Sequence, residues 1–292
     1  MTSRAMLNYL VTRRHTYTVR GWFRRFAGQL GGPARILTYE RVGSARAPAA
    51  SDVYVFSDLD RLHGALRDRA ARFHERAVDA GSVVLNDPAR FVRRRDLHRA
   101  LGLRYRSFRA SEALPEDLGP CFLRGEDDHD GPLTAVLPGR AAARRARLRH
   151  PGALVVELLD TADEDGVYRK YSAFRVGDAI VPRHLLFSRD WMVKHPDLLD
   201  PAYLEEELRY LYGNPHEDAV RRVFDVAGLR WGRIDYAVHD GAVQTWEINT
   251  NPLLVTPGGT AFAARRTAHV ISARLLNGAL ARLSDRPRTG GE

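Results

Sequence analysis

Two hydrophobic periods alternate along this chain of 292 residues. Residues 35–42 (RILTYERV) and 53–56 (VYVF) read as short strands. Leu59, Leu62, Leu66, Ala70, Phe73 and Ala77 then recur at helical spacing. The run SVVLN predicts a buried strand, and Asn-Asp-Pro a turn opening a helix around residues 88–101. TYTV, GWF and ARILTYERV, near the start, read as strand and packed helix edge. Alternating strand and helix over residues 35–103 predicts a small α/β domain. From Pro120 the pattern changes: PCFLR is a short strand, GEDDHDGPL a polar loop, residues 139–149 a helix and ALVVELL a buried strand. YRKYSAFRVG, DAIVPRHLL and RIDYAVHDGAVQTWEIN predict strand pairs, with helices at roughly 201–212 and 215–227 between them and a last helix over 259–283. The tail SDRPRTGGE reads as disordered, and neither a repeat nor a long linker interrupts the chain.

Composition adds an ordinary globular balance, 44% apolar and 28% charged, with no apolar run long enough to span a membrane. The single cysteine, Cys121, permits no intrachain disulfide, so a reducing cytoplasm is expected. Charge changes the picture more. The net charge is +9, and only two of the 45 basic residues, Lys170 and Lys194, are lysine. Residues 1–110 hold 22 arginines against 9 acids, whereas the remainder holds 23 bases against 27 acids. The positive field therefore belongs to the N-terminal part, where it would attract an anionic partner. The first 39 residues contain no acid, as in a mitochondrial transit peptide, but their strand- and helix-like segments argue for folded structure.

Several chemistries are excluded by absence. The chain has no GK[ST] phosphate loop, no G-x-G-x-x-G, no G-x-S-x-G and no H-E-x-x-H, and His216-Glu217 lacks the second histidine of a zinc motif. What remains is residues 233–252, RIDYAVHDGAVQTWEINTNP, which read as a hairpin around His239-Asp240-Gly241. Glu247 and Asn249, two apart on a strand, project from one face. Asp235 joins that face only if paired residue numbers sum to an even value. A three-residue loop ending in a left-handed Gly241 gives that register, whereas a two-residue Asp-Gly turn puts Asp235 and Glu247 on opposite faces. In the first register two carboxylates and an amide oxygen converge, a set suited to Mg²⁺ held with substrate phosphates. Spacing alone fits a half-exposed polar hairpin equally well.

These residues carry a resemblance. Glu-Ile-Asn-Thr-Asn-Pro, with an Asp on the neighbouring strand, resembles the metal-binding signature of the ATP-grasp superfamily, which includes D-alanine–D-alanine ligase and glutathione synthetase. The resemblance implies that Asp235, Glu247 and Asn249 bind Mg²⁺ on the phosphates of ATP. It further implies that ALVVELLDT holds adenine, with Glu157 or Asp160 reaching the ribose. YRKYSAFRVGDAIVPRHLLFSRDWMVK is similar to the two following strands, in which a basic residue faces the phosphates. Arg183 is the best match, with Arg169, Lys170, Arg189 and Lys194 behind it. Arg124 stands where the family usually has a phosphate-contacting lysine, and Arg93–Arg95 lie near an earlier one. The loop GEDDHDGPL departs from the family's glycine-rich cover, and its Asp127, Asp128 and Asp130 are not expected to bind metal.

The implied fold is α/β (α+β): an ATP-grasp domain over residues 85–283, with subdomains at about 85–153 and 154–283, behind a small α/β domain of residues 1–84. The implied activity is an ADP-forming carboxylate–amine ligase using ATP and Mg²⁺, with Lys170 and Arg183 at the reacting centre and Arg124 on the phosphates. Two readings compete with it: an ATP-grasp kinase, and an arginine-rich nucleic-acid-binding protein with a vestigial nucleotide site. The intact Asp, Glu and Asn set argues against the last. Expected partners are small-molecule or peptide carboxylates and amines, without membrane or nucleic acid. Their identity and the oligomeric state are not legible, a homodimer being the commonest arrangement.

Overall fold

The computed structural model describes residues 5–44, 47–127, 131–259 and 261–284. The expected disordered tail after Ser284, together with Asp128 and Asp130 of the acidic loop, lies outside the described residues. Three sheets organise the chain. The first is parallel, in the order β2-β1-β3-β4, built from β1 (Leu7–Val11), β2 (Ala34–Thr38), β3 (Val53–Phe56) and β4 (Val83–Leu85). Helices α1 (Tyr17–Phe26) and α2 (Gly64–Asp79) connect its strands. The second is a small antiparallel sheet, β5-β7-β6, of β5 (Ser107–Phe108), β6 (Cys121–Arg124) and β7 (Leu154–Glu157), with α4 (Arg140–Arg149) packed on one side. The third is antiparallel, β11-β10-β8-β9, of β8 (Tyr168–Val176), β9 (Ala179–Ser188), β10 (Trp231–His239) and β11 (Ala242–Asn249). Helices α3 (Arg94–Leu101), α5 (Pro201–Gly213), α6 (Glu217–Val226) and α7 (Arg266–Ser284) complete the described elements.

The central strand of the first sheet, β1, is fully buried along its length and was not foreseen, because LNYLV is a short apolar run without alternation. TYTV and GWF are not strand. They form α1, whose Thr18, Val19, Trp22, Phe23 and Phe26 face the core while Arg20, Arg24 and Arg25 face outward. The local β-branched residues lose here to helical amphipathicity. The helix expected from residue 88 starts at Arg94, since Asp87–Arg90 closes a turn of its own. The last helix likewise starts at Arg266, after two short 3₁₀ turns, rather than at 259.

One core cluster spans the first and third sheets. Tyr9, Val55, Phe174 and Trp231 share it with Leu276 and Leu280 of α7. Tyr9 meets Phe23 and Trp231 edge-on, with ring centroids 5.8 and 5.6 Å away. Gly31, at φ +74°, fits where the backbone of Ala281 approaches; a Cβ there would lie 2.7 Å from the Ala281 carbonyl oxygen and 2.9 Å from its Cα. Gly31→Ala therefore combines left-handed strain with backbone overlap and is expected to cost about 2 kcal/mol or more. A lower urea midpoint at unchanged slope checks this, and an unchanged midpoint contradicts it.

Candidate nucleotide and metal site

The second and third sheets enclose a cleft of about 610 Å³. Strand periodicity supplies its walls. On β6, Phe122 and Arg124 face the cleft while Cys121 and Leu123 pack against α4. Val156 and Leu158 continue the apolar wall, joined by Tyr105, Leu159, Trp191 and Met192. On the other side, β8 presents Tyr168 and Lys170, β10 presents Arg233 and Asp235, and β11 presents Trp246, Glu247 and Asn249. One wall of the cleft is thus largely apolar, and the other is charged.

The hairpin of β10 and β11 has the turn that sequence reasoning took to be unfavourable. His239 pairs with Ala242 across a two-residue Asp240-Gly241 turn, both residues having positive φ (47° and 72°). That register would set Asp235 opposite Trp246. A β-bulge intervenes: Tyr236 pairs with Thr245, but Asp235 pairs with Glu247, leaving Trp246 as the extra residue. Of the two turns weighed from the sequence the two-residue one forms, and the even-sum register arises from the bulge instead. Carbonyls at the bulge have partners outside the hairpin. The Tyr105 hydroxyl donates to Thr245 O, and His98 Nε2, as its neutral tautomer, donates to Trp246 O at 3.3 Å. The Trp246 indole lies 5.3 Å from the Tyr105 ring.

Each side chain of the expected metal set is anchored. Asp235 Oδ1 accepts from Ser172 Oγ (2.8 Å) and Arg233 Nε (3.1 Å). Glu247 Oε2 accepts from Arg94 at 2.6 Å and Arg124 at 3.2 Å. Asn249 Oδ1 accepts from the Asn251 amide at 2.8 Å. Among the described lining residues, five cations (Arg124, Arg169, Lys170, Lys194 and Arg233) face two carboxylates. The cleft is thus electropositive around a pair of acids. Burial pushes the Lys170 amine below its ordinary pKa, while Asp235 and Glu247 pull it back. Both lysines of the chain line this one cleft.

Other expected residues lie elsewhere. Glu157 does not line the cleft; its two oxygens accept from Arg106 Nη2 and Nε at 2.6 and 2.8 Å. Asp160 is exposed and accepts from the Ala162 amide at 3.0 Å, so Leu158, Leu159 and Thr161 take the lining positions. Arg183 is buried behind the cleft, 3.4 Å from Ser272 Oγ, and burial beside Arg233 and Arg265 lowers its pKa to about 10. Arg189 bonds the Asp165 carbonyl. Of the arginine trio, Arg93 pairs with Asp127 and Arg95 with Glu112, and only Arg94 reaches Glu247. Arg233 and His98 are among the lining residues that sequence reasoning missed. Arg233 stands two residues before Asp235, a spacing that puts both on one strand face and offered a legible signal; His98, inside a basic helix, offered none.

No family model matches the chain, and no curated protein matches it. Solved structures do. D-alanine–D-alanine ligase from Bacillus anthracis aligns over 97% of this chain and 97% of its own, with a TM-score of 0.55 at 12% identity. The ATP-grasp ligase PsnB, complexed with precursor peptide PsnA2 and AMPPNP, aligns over 98% and 99%, with 0.54 at 16%. A RimK domain protein ATP-grasp from Sphaerobacter thermophilus aligns over 96% and 99%, with 0.51 at 15%. The likeness is one of fold: the chain has the ATP-grasp fold over nearly its whole length. Among the described residues, no helix is long and apolar enough to cross a membrane.

Burial, with Arg94 beside it, lowers the pKa of His98 to about 3, and burial with Arg183 beside it does the same to His269. Both remain neutral in the folded chain while the unfolded chain protonates them near 6.5. Unfolding then binds protons, so stability falls as pH drops from 6.5 toward 3 and is unaffected by these groups above 6.5. Each contributes a slope of at most about 1.4 kcal/mol per pH unit. Urea unfolding across this window should show the decline, with a shallower slope in His98→Gln. An identical slope in the variant contradicts the assignment.

Proposed function

We propose that the chain is an ATP- and Mg²⁺-dependent ligase that activates a carboxylate as an acyl-phosphate for attack by an amine, releasing ADP and phosphate. The observation that carries this reading is the bulge-shifted pairing of Asp235 with Glu247, inside an electropositive cleft with a largely apolar wall. The apolar wall suits a purine, and the charged wall a polyphosphate. The reading divides the chain at residues 84/85 and near residue 153; β4 (Val83–Leu85) runs across the first cut, and β7 (Leu154–Glu157), which pairs with β5 and β6, lies beyond the second.

The donor set fits Mg²⁺. Among the described residues, no three His, Cys, Asp or Glu side chains group closely enough to hold a metal. Two opposed carboxylates and one amide oxygen suit a hard cation that takes its remaining oxygens from a bound polyphosphate. When bound, the cation neutralises phosphate charge. Asp235, Glu247 and Asn249 would hold it, and Arg124, Lys170 and Lys194 would offset the rest of that charge. A substrate carboxylate placed beside Arg233 attacks the terminal phosphorus, the bond to ADP breaks, and the amine then displaces phosphate. Arg233 steadies the transferring group, with the buried Arg183 reinforcing the positive field behind it. No side chain need act as a covalent nucleophile; positioning and charge carry the step. Glu157 or Asp160 would reach the ribose only by leaving the partners described above.

Glu247→Gln is expected to fold and to lose the Mg²⁺ dependence of nucleotide binding. With Mg²⁺, a non-hydrolysable ATP analogue at a hundred times its dissociation constant should stabilise the wild type by about 2.7 kcal/mol, read as a melting shift. In the variant the cleft carries one negative charge fewer, so the analogue alone should bind more tightly than it does to the wild type without Mg²⁺. A full Mg²⁺-dependent shift in Glu247→Gln overturns the ligand assignment. No shift in the wild type overturns the function.

A further inference from the structure

Among the described arginines of residues 1–110, none lines the cleft, and Arg94 bonds its Glu247. Several arginines elsewhere on the surface pair with acids: Arg104 with Asp240, Arg175 with Asp225, Arg221 with Glu217 and Arg230 with Asp178. Arg13, Arg14, Arg20, Arg24 and Arg25 lie together on one short stretch of the chain. All five are exposed, and none forms a salt bridge with a described residue. The Arg20 guanidinium donates to Thr16 Oγ1 at 2.8 Å, and Glu40, the first acid in the chain, accepts the backbone amide of Arg13 at 3.0 Å. The apolar residues of α1 face the core and fix Arg20, Arg24 and Arg25 outward. Over residues 13–25 this face runs for about 20 Å, the span of about six extended residues.

The helix that carries most of this face is linked to the cleft. Thr18 Oγ1 of α1 donates to Asn251 Oδ1 at 2.8 Å, and the Leu254 amide donates to Thr18 O at 2.9 Å. The same Asn251 bonds Asn249, and Leu253 beside it lines the cleft. α1 is thus bonded, through its packed face, to the segment that leaves the carboxylate strand.

We propose that this face docks an acidic segment of a polypeptide substrate, delivering one of its Asp or Glu carboxylates to the cleft. The substrate role rests on the ligase reading; the docking does not. An acidic peptide is favoured over nucleic acid because its charged group is the group the cleft would activate. In addition, α1 offers one exposed aromatic, Tyr17, rather than the series of stacking platforms that bases use.

The test is fluorescence polarisation of labelled decaglutamate, decaglutamine and a ten-nucleotide single-stranded DNA against the full chain and a triple variant, Arg20→Gln with Arg24→Gln and Arg25→Gln. Decaglutamate should bind and decaglutamine should not. Affinity should fall about tenfold or more in the triple variant, and about threefold in each single variant should the triple one fail to fold. It should fall further between about 50 and 200 mM salt. The proposal is overturned if decaglutamate binds no better than decaglutamine, if the variants bind it as the wild type does, or if the DNA binds more tightly than the peptide. The melting shift with the ATP analogue, measured on the same samples, should be equal in wild type and variants. Its absence from the wild type would undo the ligase reading alone and leave the docking result standing.

Discussion

The candidate site depends on one extra residue in one strand. Without the bulge at Trp246, the two-residue turn would send Asp235 and Glu247 to opposite faces of the third sheet, and the cleft would hold a single carboxylate. With it, two acids stand directly opposite one another, an arrangement that opposes folding unless cations are close. Arg233 supplies one, on the same strand, and Arg94 and Arg124 reach across from α3 and β6 to grip Glu247. The repulsion and its compensation together produce a cluster of mixed charge with cations in excess. Under the proposed function, such a cluster would receive a ligand that brings both a metal and several negative oxygens.

The rest of the fold serves that juxtaposition. Tyr105 and His98, next to the second sheet and on α3, satisfy the carbonyls at the bulge and so tie it to the opposite wall of the cleft. On the other side, Tyr9 and Thr18 both donate to Asn251 Oδ1, which binds the parallel sheet and α1 to the exit of β11. The carboxylate strand is thus held from both flanks. Its side chains are placed by packed elements rather than by a free loop, which limits their motion relative to one another.

Much of this was legible in the chain, and the exceptions have physical reasons. The long strands β8 to β11 announce themselves by alternation and by Gly-containing turns, and the Asp, Glu and Asn set could be named from spacing and resemblance. Both lysines gathering at one cleft bears on their rarity, since a compact charge is set apart where arginine is the rule. The bulge was not legible, because no local residue marks it; its carbonyls are satisfied by Tyr105 and His98, about 140 residues away in the chain. The inward turn of Arg94, and not its neighbours, was equally hidden, as it depends on where α3 starts. Glu157 illustrates the converse: a strand-end acid facing the expected ligand in the pattern is captured by Arg106 in the structure.

The most direct measurement is a crystal structure of the chain with Mn²⁺ and a non-hydrolysable ATP analogue, with the metal located by its anomalous signal. The account predicts a peak bounded by the Asp235 and Glu247 carboxylates and the Asn249 amide oxygen, with the triphosphate running toward Arg124 and Lys170. Nucleotide in the cleft with no metal between those carboxylates, or a metal peak elsewhere, would contradict it.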